Sequence, residues 1–469
     1  MSADPLTSLR GRSVLVAGAA TSGLAAARAL VELGAHVMVT DSSIERLAEL
    51  PDGCAGAHDL AGPPSAAALV VTSPGWRPDS PLLVAAASAG IEVIGEPELA
   101  WRWTQPGGPG AGAAPRWWAV TGTNGKTTTV GMLARILVSA GREACGCGNI
   151  GTPVIDAVRA GHRELAVELS SFQLHWSPSV RPDAGCLLNV AEDHLDWHGG
   201  MAAYLAAKER VLTGAVAVAG VNDATAAAAL ARCPARTRVG VTLAEPVAGQ
   251  VGVSDGMLTD RAFGASDEPL IGADEIRPAG LPGRVDALAA AALARAAGVT
   301  PEQVAAGLRG YRPGPHRGAV VAERAGVRFV NDSKATNPHA ADAALAGYPS
   351  VVWIAGGVLK GASVTELIQH HAQRLVGVVL VGTDRGVFRD ALLRHAPEVR
   401  VAEALAGEHG PMKDAVWLAA GMAGPGDVVL LAPAAASLDQ FRDYAARGQA
   451  FADAVAGLPA ASPGAPGAR

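Results

Sequence analysis

The stretch Thr121-Gly-Thr-Asn-Gly-Lys-Thr-Thr128 holds residue types able to bind and activate a phosphate chain. Gly122 and Gly125 let backbone N–H groups approach an anion without interference from a Cβ. Lys126 sets a point charge near the terminal phosphate, and the Thr127 hydroxyl is suited to Mg²⁺. Only Thr123 and Asn124 separate the two glycines, a tighter spacing than the general phosphate-loop pattern. The implied ligand is a nucleoside triphosphate. Glu168 stands in an otherwise apolar run, where an unpaired carboxylate is costly, and so demands a cation. Mg²⁺ beside the phosphates would serve, with Glu168 and His194 as candidate ligands. Downstream, Arg317 suits a phosphate or carboxylate and Lys360 a carboxylate, so the last third is expected to hold a second anionic ligand.

These groups need rigid elements behind them. An apolar run at 117–120 reads as a buried strand, and the residues after Gly125 open a helix with Met132, Leu133, Ile136 and Leu137 on one face. Short apolar runs at 165–167 and 186–190 end in Glu168-Leu-Ser-Ser171 and Ala191-Glu-Asp-His194, at the carboxyl ends where doubly wound sheets place ligands. Upstream, strand 13–18, helix 22–33 and strand 36–40 enclose Gly18-x-Ala20-x-x-Gly23, and Asp41 follows 18 positions after Gly23. Ala20 replaces the middle glycine and disfavours a nicotinamide cofactor. A second small-residue turn, Thr72-Ser-Pro-Gly75, makes a nucleotide diphosphate the better fit. In the last third a hairpin over 320–330 precedes strands 351–355, 378–381, 399–402 and 428–431 alternating with helices.

With 469 residues, two to four domains are expected. Three emerge, because 105–115 and Tyr311-Arg-Pro-Gly-Pro315 can form neither helix nor strand. The expected fold is α/β: a Rossmann-like domain over 1–113, a central phosphate-loop mononucleotide-binding domain over 114–313, and a Rossmann-like α/β domain over 314–469. The tail 459–469 is expected to be disordered. A net charge of −6 offers no footprint for nucleic acid, and no apolar run is long enough for membrane insertion. Five scattered cysteines fit a reducing, cytoplasmic setting, and Cys145-x-Cys147 reads as two small core residues.

Taken together, Thr121-Gly-Thr-Asn-Gly-Lys-Thr-Thr128, Gly148-Asn-Ile-Gly151, Glu168-Leu-Ser-Ser-Phe-Gln-Leu174, Asn189-Val-Ala-Glu-Asp-His194, Asp332-Ser-Lys-Ala-Thr-Asn337 and Ser437-Leu-Asp-Gln-Phe441 resemble the Mur ligases over nearly the whole chain. The third, fifth and sixth stretches are similar to those of the glutamate-adding branch. The resemblance implies ATP- and Mg²⁺-dependent joining of D-glutamate to UDP-N-acetylmuramoyl-L-alanine through an acyl phosphate, by a monomer serving peptidoglycan synthesis. It also implies site roles. Ser22, Asp41, Ser42, Ser73 and Gly75 would face UDP, and Asn149 and Ser170 would lie near the muramoyl-alanine and the metal. Thr127, Glu168, His194 and a carbamylated Lys208 would hold metal. Gly122, Thr123, Asn124, Gly125, Lys126, Thr127, Thr128, Arg317 and Asp332 would meet ATP, and His316 would stand near the reacting centre. Thr336, Lys360, Ser437, Leu438 and Tyr444 would take D-glutamate. Catalysis would fall to Lys126, His194, Lys208 and His316, with the last domain closing over the nucleotide. Gly283-Arg-Val-Asp-Ala-Leu-Ala289 departs from the family, which commonly has a His-Asn pair there. Another Mur-type or folylpolyglutamate-type ligase, or a nucleotide sensor without chemistry, remain alternatives.

Overall fold

A computed structural model describes residues 6–112, 114–264, 266–404 and 410–459. From residue 460 on, the tail expected to be disordered lies outside them. The chain divides into two compact units, Met1–Ile276 with Val285–Tyr311, and Arg277–Arg284 with Arg312–Arg469. Among the described residues they contain three sheets, and the α/β class is borne out.

The first sheet has five parallel strands. Reading across it, Cys54–His58 is followed by His36–Asp41, Ser13–Ala17, Ala67–Thr72 and Val93–Gly95. Val14, Leu15, Val16 and Ala17 are buried on both faces, as a parallel strand covered by helices requires. Cys54–His58 was missed by the sequence reading, since an edge strand of small, partly exposed residues has no apolar signal. Strand order reverses between Ser13–Ala17 and Ala67–Thr72, which opens a crevice beyond their carboxyl ends.

The second sheet has nine strands and begins with Arg116–Thr121, flanked by Glu164–Glu168 on one side and Ala184–Leu187 on the other. Its far end turns antiparallel through Gln250–Ser254, Met257–Asp260 and Glu268–Gly272, elements that had given no clear sequence signal. The two sheets share one unit because a continuous apolar cluster runs from Leu30 and Ile94 through Ile155 to Trp117 and Leu165. The Glu96 carboxylate, 1% exposed, also accepts the Ile155 N–H at 2.6 Å.

The other unit holds a six-stranded sheet. Ala319–Arg324 pairs antiparallel with Val327–Asn331 through a turn in which Ala325 and Gly326 both have positive φ, the geometry a tight hairpin needs. Val428–Leu431 lies between Val327–Asn331 and Val351–Gly356, with Leu375–Val381 and Arg400–Glu403 beyond. The order again reverses beside Val351–Gly356.

Candidate active site

Strand Arg116–Thr121 delivers the loop, and helix Lys126–Ser139 leaves it. Gly125 caps that helix at φ 87° with no side-chain bond, so the first-turn N–H groups have no intrahelical acceptor and present a positive end to an anion. A Cβ on Gly125 would meet Asp286 Oδ1 at 2.2 Å, which makes glycine obligatory on two counts. The cradle is narrower than expected. Asn189 takes the N–H groups of Thr123 and Asn124 on its Oδ1 at 3.1 and 2.9 Å, and its Nδ2 donates to the Asn124 carbonyl. Those two amides brace the loop.

Around this loop the structure brings several candidates together. Thr127 Oγ1 donates to Glu168 Oε2 at 2.7 Å, and Asn149 Nδ2 donates to Glu168 Oε1 at 2.9 Å. Glu168 is 2% exposed and thus has the polar partners its burial requires. Lys126 Nζ donates to the Gly122 and Thr123 carbonyls, both at 2.9 Å. Lys208 Nζ reaches the same Gly122 carbonyl at 2.6 Å and lies over the Tyr204 ring. Burial, followed by the Lys126 charge, drives the Lys208 amine well below the usual lysine range. Thr123 Oγ1 and the Tyr204 hydroxyl are 3.0 Å apart.

His194 stands in the left-handed region at φ 54°, with Nε2 3.4 Å from Asp193 and its ring against Phe172. The described residues contain no group of three or more His, Cys, Asp or Glu side chains placed to hold a metal. Of the expected metal set, Thr127 and Glu168 meet directly, while His194 and Lys208 have the partners just given. Ser170 serves as a helix cap, its hydroxyl accepting the Gln173 N–H in a capping box, a role carried by the Ser-x-x-Gln spacing but missed by the sequence reading.

Beyond the first sheet's reversal point is a cavity of about 500 Å³. Ser22, Asp41, Ser42, Ser73 and Gly75 all line it, joined by Arg46, Trp76 and Arg77. Asp41 accepts the N–H groups of Ala19 and Ser43 at 2.8 and 2.9 Å. Burial pushes its pKa up, but those donors and Arg46 outweigh it and hold the carboxylate below its usual value. Asp41 therefore staples the turn rather than offering a bare ribose grip. Ser73 Oγ is buried without a protein partner. Gly23 is forced by the close approach of helix to strand, since a Cβ there would lie 1.8 Å from the Gly18 carbonyl.

In the second unit the remaining candidates sit at strand ends. The His316 ring, at φ 62°, bonds Asn331 Nδ2 through Nδ1 at 3.0 Å. Asp332 accepts the Gly318 N–H at 3.2 Å, and burial raises its carboxyl to about 7 against the lowering effect of Gly318 and the Arg317 charge. Reciprocal bonds between Val358 and Ala436 join the loop of Lys360 to that of Ser437. Ser437 is buried, whereas Leu438 is exposed. The Tyr444 carbonyl accepts Ser333 Oγ at 2.8 Å, and its ring lies 4.0 Å from Lys334 Nζ. The Thr336 N–H is turned onto the Lys334 carbonyl.

Sequence reading missed the residue that ties these loops together. Arg447, 1% exposed, donates to Ser333 Oγ, the Ser333 carbonyl and the Ala435 carbonyl at 3.0, 2.9 and 3.0 Å. A lone arginine in the first turn of helix Tyr444–Ala456 carries no signal of burial. Asp286 was also missed, although the departure of residues 283–289 from the family pattern marked the place.

A phosphate cradle on one sheet, a diphosphate-sized cavity on a second and a ligand-suited set of strand ends on a third define an ATP-dependent ligase of several substrates. Comparison with known proteins gives the family. The Mur ligase middle domain matches residues 120–241, and the Mur ligase glutamate ligase domain matches 316–435. A UDP-N-acetylmuramoylalanine–D-glutamate ligase from Nocardia farcinica is 52% identical, covering 96% of this chain and 97% of its own length. Its namesake from Rhodococcus jostii is 51% identical, at 96% of each. The chain belongs to the Mur ligase family. Among solved structures it is similar to the UDP-N-acetylmuramate-alanine ligase of Thermotoga maritima, with TM-score 0.55 and 18% identity over 95% of this chain and 99% of that one. It is also similar to a pseudomurein peptide ligase type C of Methanothermus fervidus, at TM-score 0.54 and 16% identity over 90% and 96%. These two likenesses concern the fold.

Proposed function

We propose that this chain joins D-glutamate to UDP-N-acetylmuramoyl-L-alanine with conversion of ATP to ADP and phosphate, a step in peptidoglycan precursor synthesis. The observation that carries the reading is half-identity, across nearly the full chain, to ligases of that name. The phosphate loop with Lys126, Thr127 and Glu168 grouped at one helix N-terminus supports it.

Thr127 and Glu168 offer hard oxygen donors beside the cradle, the chemistry that Mg²⁺ prefers, so the residues present fit that ion. His194 and a carbamylated Lys208 would complete its surroundings. Lys208 as a buried, readily neutral amine is a nucleophile for CO₂, and the resulting carbamate is an anion. When bound, Mg²⁺ neutralises phosphate charge. The first-turn amides and Lys126 would hold the γ-phosphate while the substrate carboxylate attacks phosphorus and ADP departs. The amine of glutamate, having lost a proton, then attacks the acyl carbon and phosphate leaves. Arg317 and Asp332 are assigned to ATP and His316 to the neighbourhood of the reacting carbonyl. Thr336, Lys360, Ser437, Leu438 and Tyr444 are assigned to the two carboxylates and amine of glutamate. The cavity at Ser22, Asp41, Ser42, Ser73 and Gly75 is assigned to UDP, with Asn149 and Ser170 toward the muramoyl-alanine. No helix among the described residues is long and apolar enough to cross a membrane, and the five cysteines are free, in keeping with a cytoplasmic setting.

The test is ADP release with UDP-N-acetylmuramoyl-L-alanine and each glutamate enantiomer. Release with D-glutamate alone is expected. Release triggered by a different amino acid would transfer the chain to another ligase of this family, and none with any amino acid would leave a nucleotide sensor.

A further inference from the structure

Arg77 belongs to none of the motifs above, yet it touches both ligand regions of the first unit. It lines the cavity at the carboxyl end of the first sheet. Its Nε and Nη2 donate to the two oxygens of Asp79 at 2.9 and 3.1 Å, which fixes the plane of the guanidinium. From that plane Nη2 also donates to the backbone carbonyl of Asp196 at 2.9 Å, and Nη1 lies 3.6 Å from the Asp196 carboxylate. Asp196 sits in the four-residue helix Leu195–His198, directly after His194.

The same short segment is gripped from the other side by the helix that follows Glu168. Phe172 packs on His194 and Trp197 with ring centroids 4.7 and 4.6 Å apart, and Ser171 Oγ is 2.9 Å from His198 Nε2. His194 is thus held between a group that answers to Glu168 and one that answers to the cavity.

We propose that Arg77 is a positioning residue coupling the nucleotide-diphosphate cavity to the His194 side of the metal site. Negative charge in the cavity sets the guanidinium, the guanidinium sets the Asp196 carbonyl, and the His194 backbone follows. The proposal rests on the functional reading above, since it takes the cavity's ligand to be a diphosphate and His194 to face the metal. Linkage makes the effect reciprocal: a diphosphate that tightens metal binding is itself tightened by metal.

Mn²⁺ binding to the full chain, followed by electron paramagnetic resonance with adenylyl imidodiphosphate present, is measured with and without UDP-N-acetylmuramoyl-L-alanine. The native chain is expected to bind Mn²⁺ about fivefold more tightly with the UDP-sugar, the lower end of usual couplings. Arg77→Gln should reduce that factor to about one, so that UDP-sugar affinity falls about fivefold more with Mn²⁺ present than in its absence. Arg77→Lys, which keeps the charge but loses the fork, should behave like Arg77→Gln. Coupling retained in Arg77→Gln overturns the proposal, as does equal weakening of UDP-sugar binding with and without Mn²⁺, the mark of a direct ligand only. A native chain that binds the UDP-sugar with no effect on Mn²⁺ also refutes the coupling but leaves the ligase reading intact. A native chain that does not bind it sinks both.

Discussion

Replacing Gly125 by alanine tests the geometry of the phosphate cradle with a cost that can be worked out in parts. The residue sits at φ 87°, where a Cβ costs about 1–2 kcal/mol. That Cβ would also lie 2.2 Å from Asp286 Oδ1 and 3.1 Å from Leu188 Cδ1. Asp286 is 6% exposed and accepts the Thr129 hydroxyl at 3.3 Å, so it cannot swing into water without abandoning a bond to a charged acceptor, about 1.5–3 kcal/mol. The expected loss for Gly125→Ala is therefore about 3–4 kcal/mol. Asp286→Ala removes the obstacle, and in that background the same glycine change should cost only the backbone part, about 1 kcal/mol. The double-mutant cycle should then show about 2–3 kcal/mol of coupling. Urea unfolding read by tryptophan fluorescence includes this region, because Trp117 and Trp118, two of the nine tryptophans, are buried in the strand that feeds the loop. An equal cost of Gly125→Ala in both backgrounds would refute the steric argument and leave only left-handed strain.

Four further outcomes follow from particular contacts. Lys126→Ala should lower ADP release about 10²- to 10³-fold with UDP-substrate affinity nearly unchanged, checked by a coupled assay and titration calorimetry. Lys208→Ala should be inactive and recover activity with added short carboxylates, which stand in for a carbamate; steady-state rates across a carboxylate series decide. Burial raises the Glu96 carboxyl to about 8, well above its unfolded value near 4.5, so the folded protein holds a proton that the unfolded chain gives up. Its stabilisation is complete below about pH 4.5 and is lost as pH rises toward and through 8; Glu96→Gln should flatten the decline in urea midpoint over that window. Arg447→Met deprives three acceptors at about 3 Å of a charged donor, a loss of about 4.5–9 kcal/mol. Burial has already lowered the guanidinium from 12.5 to about 10, an offsetting penalty of about 3 kcal/mol. Stability should therefore fall by about 1.5 kcal/mol or more, and KM for D-glutamate should rise about tenfold or more as the loops of Ser333 and Ala435 come loose.

Much of the architecture was legible because it rests on local signals. The run Trp117-Trp-Ala-Val120 with Gly122, Gly125 and Lys126 specifies a strand, a left-handed cap and a helix start without help from the rest of the chain. The same holds for the hairpin at Ala325-Gly326 and for the fully buried strand Val351–Gly356. Where the local signal was weak the reading failed: Cys54–His58 owes its strand conformation to parallel pairing with His36–Asp41, a partner its own residues do not announce.

For the site, residue types disclosed what chemistry was at hand but not who holds whom. Nothing local to Asn189 says that its carboxamide takes the amides of Thr123 and Asn124 across 65 positions or more, and nothing local to Arg447 says that it is buried. Such partners are chosen when strands adjacent in the sheet are distant in the chain. Hydrogen-bond geometry and burial then depend on register and order, which the linear pattern leaves open. The composition of the phosphate loop and the α/β alternation were thus written in the order of residues. The pairing of Thr127 with Glu168, the neutral-leaning amine of Lys208 and the reach of Arg77 to Asp196 came only from folding, because each depends on desolvation and distance between separate elements.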